Sequence, residues 1–562
     1  MPGQRSVVSS AKLIAVCTLT SRITGLVRDV LLAQAFGLGW IQDAFSYAFQ
    51  FPNLFRRLFG EGAMSPVFVP TFTRTLETEG RDAAWRLLAR TLALMTVALT
   101  ALIIVIAGIL AAIWFFWPGD PEKEPARRLL LALTGLMLPF MLTICVVALL
   151  SSLLNCVGSF VPAALAPVIL NVVMIVGLVG LAPHWYPGDP GRQVHVVAAT
   201  VVVAGVLQML FLLPALRRQG VPLGWRLEPR EPTVRRMLAL LPPVALGQGV
   251  LAFGVFADAQ VCALLTHVAG TPATATLFGW TFRYPLVEGA LSAITYAQRL
   301  YQFPLGVLVI SLATAALPAF SRLAARADWP AWAAEVRQSL RLAVFEGLLA
   351  GVMMVMLAAP IVRLLFEHGN FTAAHTGRTS YVVVCYGFGL WAFCAQHIVM
   401  RAFYSLGDVR TPLTISALVL PLNIAISFGL IWVDSIREAG FAISSCITAT
   451  LSVAAGCAIL QRRLALRLFD RPTVTAGVRM LICAGAAAVA LAALRPTWSA
   501  WAAALPGRWA ARGFETVGLL IVGTGLFLVA ARLLKLGEVA MLLPRRWRPR
   551  PPGLDGAPQN IR

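Results

Sequence analysis

Charge is scarce in this 562-residue chain: 13% of its residues are Asp, Glu, Lys or Arg, against 59% hydrophobic, and the mean hydropathy is +0.78. A soluble chain of ordinary composition carries about 25% charged residues. A water-soluble globular protein is therefore excluded, and a polytopic helical membrane protein is indicated. Acids are scarcer still, 25 Asp+Glu against 46 Lys+Arg, for a formal net charge of +21. The basic residues are scattered over many short loops instead of forming one patch, so no nucleic-acid partner is expected. The nine cysteines (Cys17, Cys145, Cys156, Cys262, Cys385, Cys394, Cys446, Cys457 and Cys483) lie in apolar segments, and none forms C-x-x-C. Neither a zinc motif nor a disulfide framework results, and they read as small core residues. A cleavable signal pattern is also missing: the apolar run after Lys12 leads straight to Arg22, with no small-residue cleavage site that fits.

What is present is a series of long apolar runs. Fourteen candidate spans cover about 6–36, 41–72, 88–117, 128–156, 161–182, 194–216, 237–267, 291–318, 340–365, 380–404, 412–433, 439–461, 473–494 and 514–534. The first two carry charges and score poorly on hydropathy. They are counted because the loop charges then alternate as the positive-inside rule requires. Arginines collect after span two (Arg74, Arg81, Arg86, Arg90), span six (Arg217, Arg218, Arg226, Arg230, Arg235, Arg236), span eight (Arg322, Arg326, Arg337, Arg341) and span twelve (Arg462, Arg463, Arg467, Arg471). Both termini are thereby expected in the cytoplasm; the loop at 495–512 fits this alternation less well. Spans thirteen and fourteen are Ala/Leu-rich and expected to bury no charge, with the tryptophans of 495–509 as an interfacial belt.

An internal repeat organises the first twelve spans. VFVPTFTR at 67–74 resembles AALPAFSR at 315–322, and FP at 51–52 matches FP at 303–304. LNCVGSFVP at 154–162 resembles FYSLGDVRTP at 403–412, after which Asn171 parallels Asn423. Offsets near 250 residues imply duplication of a six-span unit, and an even number keeps both copies in one orientation. The expected fold is an all-α polytopic membrane protein of about fourteen transmembrane helices: two parallel six-helix lobes around a central cavity, plus two C-terminal helices. The boundaries read as 1–220 for the N-terminal lobe, 233–465 for the C-terminal lobe, 473–535 for the two additional helices and 536–562 for a basic, disordered cytoplasmic tail. Pro52, Pro66 and Pro70, with Pro304 and Pro318, are expected to bend or interrupt spans two and eight.

The stretch from Ser21 to Glu61 places Arg22, Arg28, Asp29, Asp43, Arg56, Arg57 and Glu61 inside membrane-type sequence. A charge at the bilayer centre costs about 2.5–3.5 kcal/mol on insertion scales, so Arg22, Arg28 and Arg56 together would cost roughly 8–10 kcal/mol facing lipid. They must line a wet cavity, pair with acids or bind an anion. Arg22 and Arg28 lie about 120° apart on a straight helix, whereas Arg22 and Asp29 share a face. Salt bridging of Arg28 or Arg22 with Asp29 or Asp43 is one reading. Anion binding accounts better for the excess of guanidinium, whose planar fork of donors suits phosphate. Arg57 and Glu61, four apart, can pair and leave Arg56 to the cavity. Asp43 is placed as a gate or as a partner for a cavity arginine.

These residues also carry a resemblance. SR-x-x-G-x-x-RD (Ser21–Asp29), FG-x-G-x-x-x-DAF (Phe36–Phe45) and PNL-x-RR-x-F-x-EGA (Pro52–Ala63) resemble the N-terminus of the MurJ (MviN) family of lipid II flippases, within the wider MOP transporter superfamily. ITYAQRLYQFPLGV at 294–307, LFEHGNFT at 365–372 and RAFYSLGDVRTP at 401–412 are similar to further blocks of that family. The resemblance implies that Arg22, Arg28, Arg56 and Arg299 bind substrate, with Asp29, Asp43, Arg57 and Glu61 gating or pairing charge. Many members flank the second-half arginine with acids; here Gln298 and Gln302 stand there, which makes proton coupling through this helix doubtful. Related transporters imply a coupling cation, sodium, at Asp258 and Asn423, for which oxygen ligands suit a hard ion; structural hydrogen bonding is the competing reading. His368 reads either as a pH switch or as a solvated loop histidine. Asp408 and Arg410 are expected to tie a short cytoplasmic turn. The segment 268–290 looks like an insertion on the outer side.

The implied activity is transport, with no enzyme chemistry: translocation of lipid II, the undecaprenyl-diphosphate-linked disaccharide peptide, from the inner to the outer leaflet of the bacterial cytoplasmic membrane by alternating access, for cell-wall synthesis. No cofactor is expected beyond the cation. Membrane lipids and cell-wall synthesis proteins are the further partners expected. An alternative keeps the fold and changes the cargo to another polyprenyl-diphosphate-linked glycan or a drug. A glycosyltransferase using the same lipid would need a carboxylate site; Asp120, Glu122 and Glu124 cluster, but among Pro and Gly and with no partner motif.

Overall fold

The computed structural model describes residues 4–58, 65–116, 124–222, 224–228, 231, 232, 235, 239, 253–277 and 280–542. Glu61 and the tail from 543 onward lie outside the described residues. Helix α1 (Gln4–Phe36) turns at Gly37 into α2 (Trp40–Phe55), followed by α3 (Ser65–Thr78), α4 (Arg81–Phe116), α5 (Glu124–Cys156) and α6 (Phe160–Val176). A wide π turn at Gly177–Leu181 carries α6 into the short α7 (Ala182–Trp185), and α8 (Pro190–Arg218) follows. After α9 (Phe253–Leu265) come four short strands, β1 (Thr266–His267), β2 (Thr274–Leu277), β3 (Trp280–Arg283) and β4 (Leu286–Val287). Then α10 (Ala290–Pro304) passes through a second wide turn, Leu305–Val309, into α11 (Ile310–Ala325). The chain continues as α12 (Trp329–Phe366), α13 (Ala373–Ser405), α14 (Arg410–Leu430), α15 (Ala439–Leu464), α16 (Arg471–Ala503), α17 (Arg508–Leu533) and α18 (Glu538–Leu542).

Ten helices among the described residues are long and apolar enough to cross a membrane: α4, α5, α6 with α7, α8 and α12 to α17. The expected first, second, seventh and eighth spans fall short for physical reasons. α1 carries Arg22, Arg28 and Asp29, and α9 is only a short apolar helix within the described residues. Spans two and eight are broken, as their prolines imply. Pro52 sits inside α2, which loosens into a π turn at 56–58, and Pro304 ends α10 at its own wide turn. Proline removes an i→i−4 bond and crowds the preceding carbonyl, so the ladder widens there. The expectation of an all-α fold needs one local amendment. The inserted segment folds as an antiparallel β2–β3 hairpin, and β1 pairs in parallel with β4 across its base. Phe282 of β3 packs edge-to-face on Trp432 at 5.5 Å.

Two compact units divide the chain: Met1–Arg299 with Leu365–Val382 and Ser416–Ser444, and Leu300–Leu364 with Val383–Ile415 and Ser445–Arg562. In the first, α5 packs against α2, α4 and α8, with Leu133, Met137, Met141, Leu149 and Leu153 fully buried. Without a hydrophobic drive between helices in lipid, close packing over small residues does the holding. A Cβ at Gly205 of α8 would lie 2.1 Å from Thr143 Oγ1 and 2.7 Å from Phe140 of α5.

The second unit uses the same device: a Cβ at Gly389 of α13 would meet Cys446 Sγ of α15 at 2.1 Å. There α16 and α17 pack on α12 through Phe345, Met480, Cys483 and Phe527. Span fourteen does bury a charge, contrary to the sequence expectation. Glu515 is buried, accepts a hydrogen bond from Ser499 Oγ at 2.8 Å and lies 3.8 Å from Arg363, so its carboxylate is compensated on the spot. Asp408 accepts from Thr411 N and ion-pairs with Arg463, so this turn is tied by Arg463 where Arg410 was expected.

Candidate functional site

The charged stretch of α1 is assembled around one carboxylate. Arg28 is 6% exposed and donates from Nε (3.0 Å) and Nη2 (2.6 Å) to Asp29 Oδ1 and from Nη1 (3.0 Å) to Asn171 Oδ1 on α6. Asn171 in turn donates to Ser21 O and Thr24 Oγ1 of α1, at 3.2 and 3.1 Å. Residues 21, 24 and 28 share a face, so one asparagine staples that face to α6. Phe49 of α2 lies under the guanidinium, 6.0 Å from its ring centroid. On the other side of the carboxylate, Arg299 Nε of α10 is 2.8 Å from Asp29 Oδ2, close enough for an ion pair but without hydrogen-bond alignment.

The two guanidiniums differ in use. Arg28 has its donors spent on Asp29 and Asn171. Arg299 has a side chain 43% exposed, and its η nitrogens make no hydrogen bond among the described residues. Two arginines on one carboxylate leave cationic charge in excess. Desolvation makes each such charge costly unless paired, and here the pairing is incomplete on the exposed side. The arrangement is a positioned donor fork facing outward from a fixed, buried base, which is the chemistry that receives an oxyanion.

Asp43 makes no ion pair with an arginine among the described residues; its donors are backbone N–H groups and a hydroxyl. Its carboxylate accepts from Gly289 N (2.7 Å), Ser292 N (2.8 Å) and Ser292 Oγ (2.5 Å), and it is 4% exposed. It therefore caps α10, the helix that carries Arg299, from a residue on α2; a carboxylate is favoured there by the orphan N–H groups and the helix dipole. The cap requires close backbone approach. Gly37 has φ +64° and a Cβ on it would lie 2.5 Å from Asn370 O; Gly289 has φ +85° and a Cβ on it would lie 2.7 Å from Leu38 Cβ. No L side chain satisfies both the torsion and the space.

Arg22 is half-buried on α1, and Arg56 donates from Nε to Asn53 Oδ1 at 3.4 Å in the π turn after α2. Arg57 occupies the same turn; its expected partner Glu61 is outside the described residues. In the second half of the repeat, Asp258 lies on α9, and its Oδ1 is buried with no hydrogen-bond partner among the described residues. Asn423 is on α14. The two helices touch one turn away, where a Cβ on Gly254 would sit 3.2 Å from Leu420 Cδ1. An orphaned carboxylate oxygen fits a hard cation, although the described residues hold no group of three or more His, Cys, Asp or Glu that would ligate a metal.

Sequence reasoning missed three contributors. Asn171 was noticed only as half of a repeat pair, though a lone amide in an apolar helix was the available clue. His375 was not singled out, yet its Nδ1 faces Leu38 N (3.3 Å) and Thr372 N (3.2 Å). Arg378 pairs with Glu438 at 2.8 Å and donates to Glu288 O at 2.9 Å, one residue before the Asp43-capped turn. Nothing in its local sequence pointed to that long-range pair.

Comparison with known proteins adds the family. The family model described as "Lipid II flippase MurJ" matches residues 32–505. A probable lipid II flippase MurJ of Rhizobium tropici is 31% identical over 448 residues, 79% of this chain and 79% of its own. The lipid II flippase MurJ of Burkholderia cenocepacia is 31% identical over 442 residues, 77% of this chain and 80% of its own. Among solved structures, a lipid II flippase MurJ in an inward closed conformation aligns with a TM-score of 0.69 at 21% identity, over 93% of this chain and 98% of that one. An inward-facing multidrug resistance MATE family transporter of the MOP superfamily aligns at 0.64 and 16% identity, over 81% and 98%. At those identities the structural matches speak for the fold alone.

Proposed function

The chain belongs to the MurJ family of lipid II flippases, and from that premise we propose that Arg28, Asp29 and Arg299, with Arg22 and Arg56, form the site that receives the diphosphate of lipid II. The protein is a multi-pass membrane transporter, not an enzyme, and its function is that of a lipid II flippase; the bacterial family implies the inner membrane. The observation that carries the site is the asymmetry at Asp29. One arginine is buried with a bond from each of its three nitrogens, while the other presents η nitrogens with no hydrogen bond among the described residues. A diphosphate oxyanion can take bidentate bonds from that free fork without any buried charge losing its partner.

The finer architecture belongs to the same proposal: fourteen spans, two parallel six-helix lobes around a water-filled cavity, two further helices, and both termini in the cytoplasm. Alternating access then carries the headgroup across while the lipid tail stays in the bilayer. Asp43 holds α10 in register, so that Arg299 keeps its place beside Asp29. The membrane potential supplies drive, because moving one charge is worth roughly 2.3 kcal/mol per 100 mV and the diphosphate carries about two. Asp258, with Asn423, would hold a coupling cation and supply charge neutralisation at that helix pair.

The test is flipping of labelled lipid II in vesicles containing the protein. Arg22→Ala, Arg28→Ala, Arg56→Ala and Arg299→Ala are each expected to abolish flipping while the protein remains folded and inserted. Ionophores that separate the potential from the pH gradient test the drive. Flipping that survives loss of the potential and stops with the pH gradient overturns that part, and unimpaired Arg299→Ala overturns the site.

A further inference from the structure

On the second unit, a cavity of about 420 Å³ is lined by Arg341 of α12, by Arg471, Thr475 and Arg479 of α16, and by Lys535 beyond the end of α17. Its cations outnumber its acids. Arg341 pairs with the buried Glu538 at 2.5 Å. Asp470 is already engaged, accepting from Thr473 N at 2.9 Å and pairing with Arg337 at 2.8 Å. Among the described residues Arg471, Arg479 and Lys535 are in no ion pair. Three unpaired cations in one concave site repel each other, and an anion between them relieves that cost.

The chemistry of the anion follows from what borders the pocket. Residues 471, 475 and 479 form one row on α16, spanning about 12 Å along the axis. The row displaced from it by about 60° consists of Val474, Val478 and Ile482, which are 53%, 52% and 53% exposed. Leu533, two residues before Lys535, is 76% exposed. Apolar side chains this open on a membrane helix face acyl chains. The floor, Ala476 and Leu536, belongs to the apolar core that joins α12, α16 and α17. A basic pocket flanked by an acyl-facing stripe matches an amphiphile: anionic head inside, chains along α16.

We propose that this pocket binds the phosphodiester headgroup of an anionic phospholipid from the leaflet facing the cytoplasm. The leaflet rests on the loop-arginine orientation; binding itself does not, so the two fail separately. Lys535 also has φ +54°, a left-handed conformation that favours glycine over any side chain. Glycine at this position would relax the backbone.

That conformation supplies a variant that removes charge without endangering the fold, Lys535→Gly. The experiment uses full-length, delipidated protein in a neutral detergent. Native mass spectrometry and thermal unfolding are read with added cardiolipin, phosphatidylglycerol, phosphatidylcholine or sodium pyrophosphate. Cardiolipin and phosphatidylglycerol are expected to bind and raise the melting temperature, and phosphatidylcholine to do neither. Arg471→Gln/Arg479→Gln/Lys535→Gly is expected to weaken anionic-lipid binding about 100-fold, and Lys535→Gly alone about fivefold, from the usual contribution of a basic residue at an anionic surface. Equal binding of phosphatidylcholine, unchanged affinity in Lys535→Gly, or stabilisation by pyrophosphate as strong as by the lipids overturns the proposal; the last would assign the pocket to a free phosphate ion.

Discussion

Two helix pairs of the first unit, α1 with α6 and α9 with α14, treat charge in opposite ways. In α1 with α6, Asn171 stitches the helices together and Arg28 is enclosed by Asp29 and the asparagine. In α9 with α14, Asn423 stands 252 residues after Asn171 in sequence, and the buried charged group on α9 is an acid. Asp258 Oδ1 has no hydrogen-bond partner among the described residues. The first pair thus carries a guanidinium excess and the second a buried carboxylate oxygen without a hydrogen-bond partner among the described residues. The first suits an anion and the second a cation.

The largest effect is expected where that comparison rests most heavily, at Asp29. Asp29→Ala leaves Arg28 buried without its carboxylate, and breaking a buried pair from one side costs about 3–5 kcal/mol. The protein should unfold at a markedly lower temperature in detergent, and flipping should be lost. Replacing both partners, Arg28→Leu with Asp29→Leu, is expected to restore much of the stability and none of the flipping. A melting temperature unchanged in Asp29→Ala would mean that the network is wet and weak, and the contrast with Asp258 would vanish.

Arg28→Lys is the next step down. It keeps the charge but loses the fork that joins Asp29 to Asn171. Loss of a charged hydrogen bond costs about 1.5–3 kcal/mol. Flipping measured with labelled lipid II should fall on the order of 10- to 100-fold. Wild-type flipping would show that charge alone suffices at this position.

The asparagines separate the two pairs more finely. Asn171→Ala removes an acceptor from a buried guanidinium and is expected to cost about 1–3 kcal/mol in thermal or chemical unfolding, whatever the salt present. Asn423→Ala is expected to cost less in sodium-free buffer, and to show its effect when sodium is added. Equal, sodium-independent losses would reduce both residues to structural staples.

Why one pair was more legible in the sequence than the other is a matter of cost. Arg22, Arg28 and Arg56 stood out because each is expensive in lipid, and the SR-x-x-G-x-x-RD spacing tied Arg28 to Asp29 directly. The broken spans two and eight were legible from Pro52 and Pro304 for the same kind of reason, a backbone bond that cannot form. Long-range partners were hidden. Asp43 looked like a charge seeking a charge, yet its partners are Gly289 and Ser292, about 250 residues away; backbone N–H groups leave no trace in composition. Glu515 was overlooked because Ser499 and Arg363, which make its burial tolerable, lie on other helices. The β2–β3 hairpin inside the insertion was equally silent, for strands so short carry no readable periodicity.

The smallest expected effect is also the one that decides whether the α9–α14 pair is a site at all. A buried carboxylate lacking partners destabilises the folded state, whereas a neutral amide of the same shape costs less to bury. Asp258→Asn should therefore unfold at the wild-type temperature or slightly above it when no cation is present. Sodium at about ten times its dissociation constant would stabilise the wild type by roughly 1.4 kcal/mol through mass action, a rise of about 1–3 °C for a chain of this size. That rise should be missing in Asp258→Asn, while potassium in place of sodium, at matched ionic strength, controls for screening. The readout is unfolding, so it does not depend on flipping activity. If Asp258→Asn keeps the sodium-induced rise, the orphaned oxygen is not a ligand. The repeat would then hold one functional charge cluster, at Asp29, and a structural acid at Asp258. If the rise is lost and Asp29 variants retain it, the two helix pairs are binding sites of opposite sign, and the divergence between the copies is the origin of coupling.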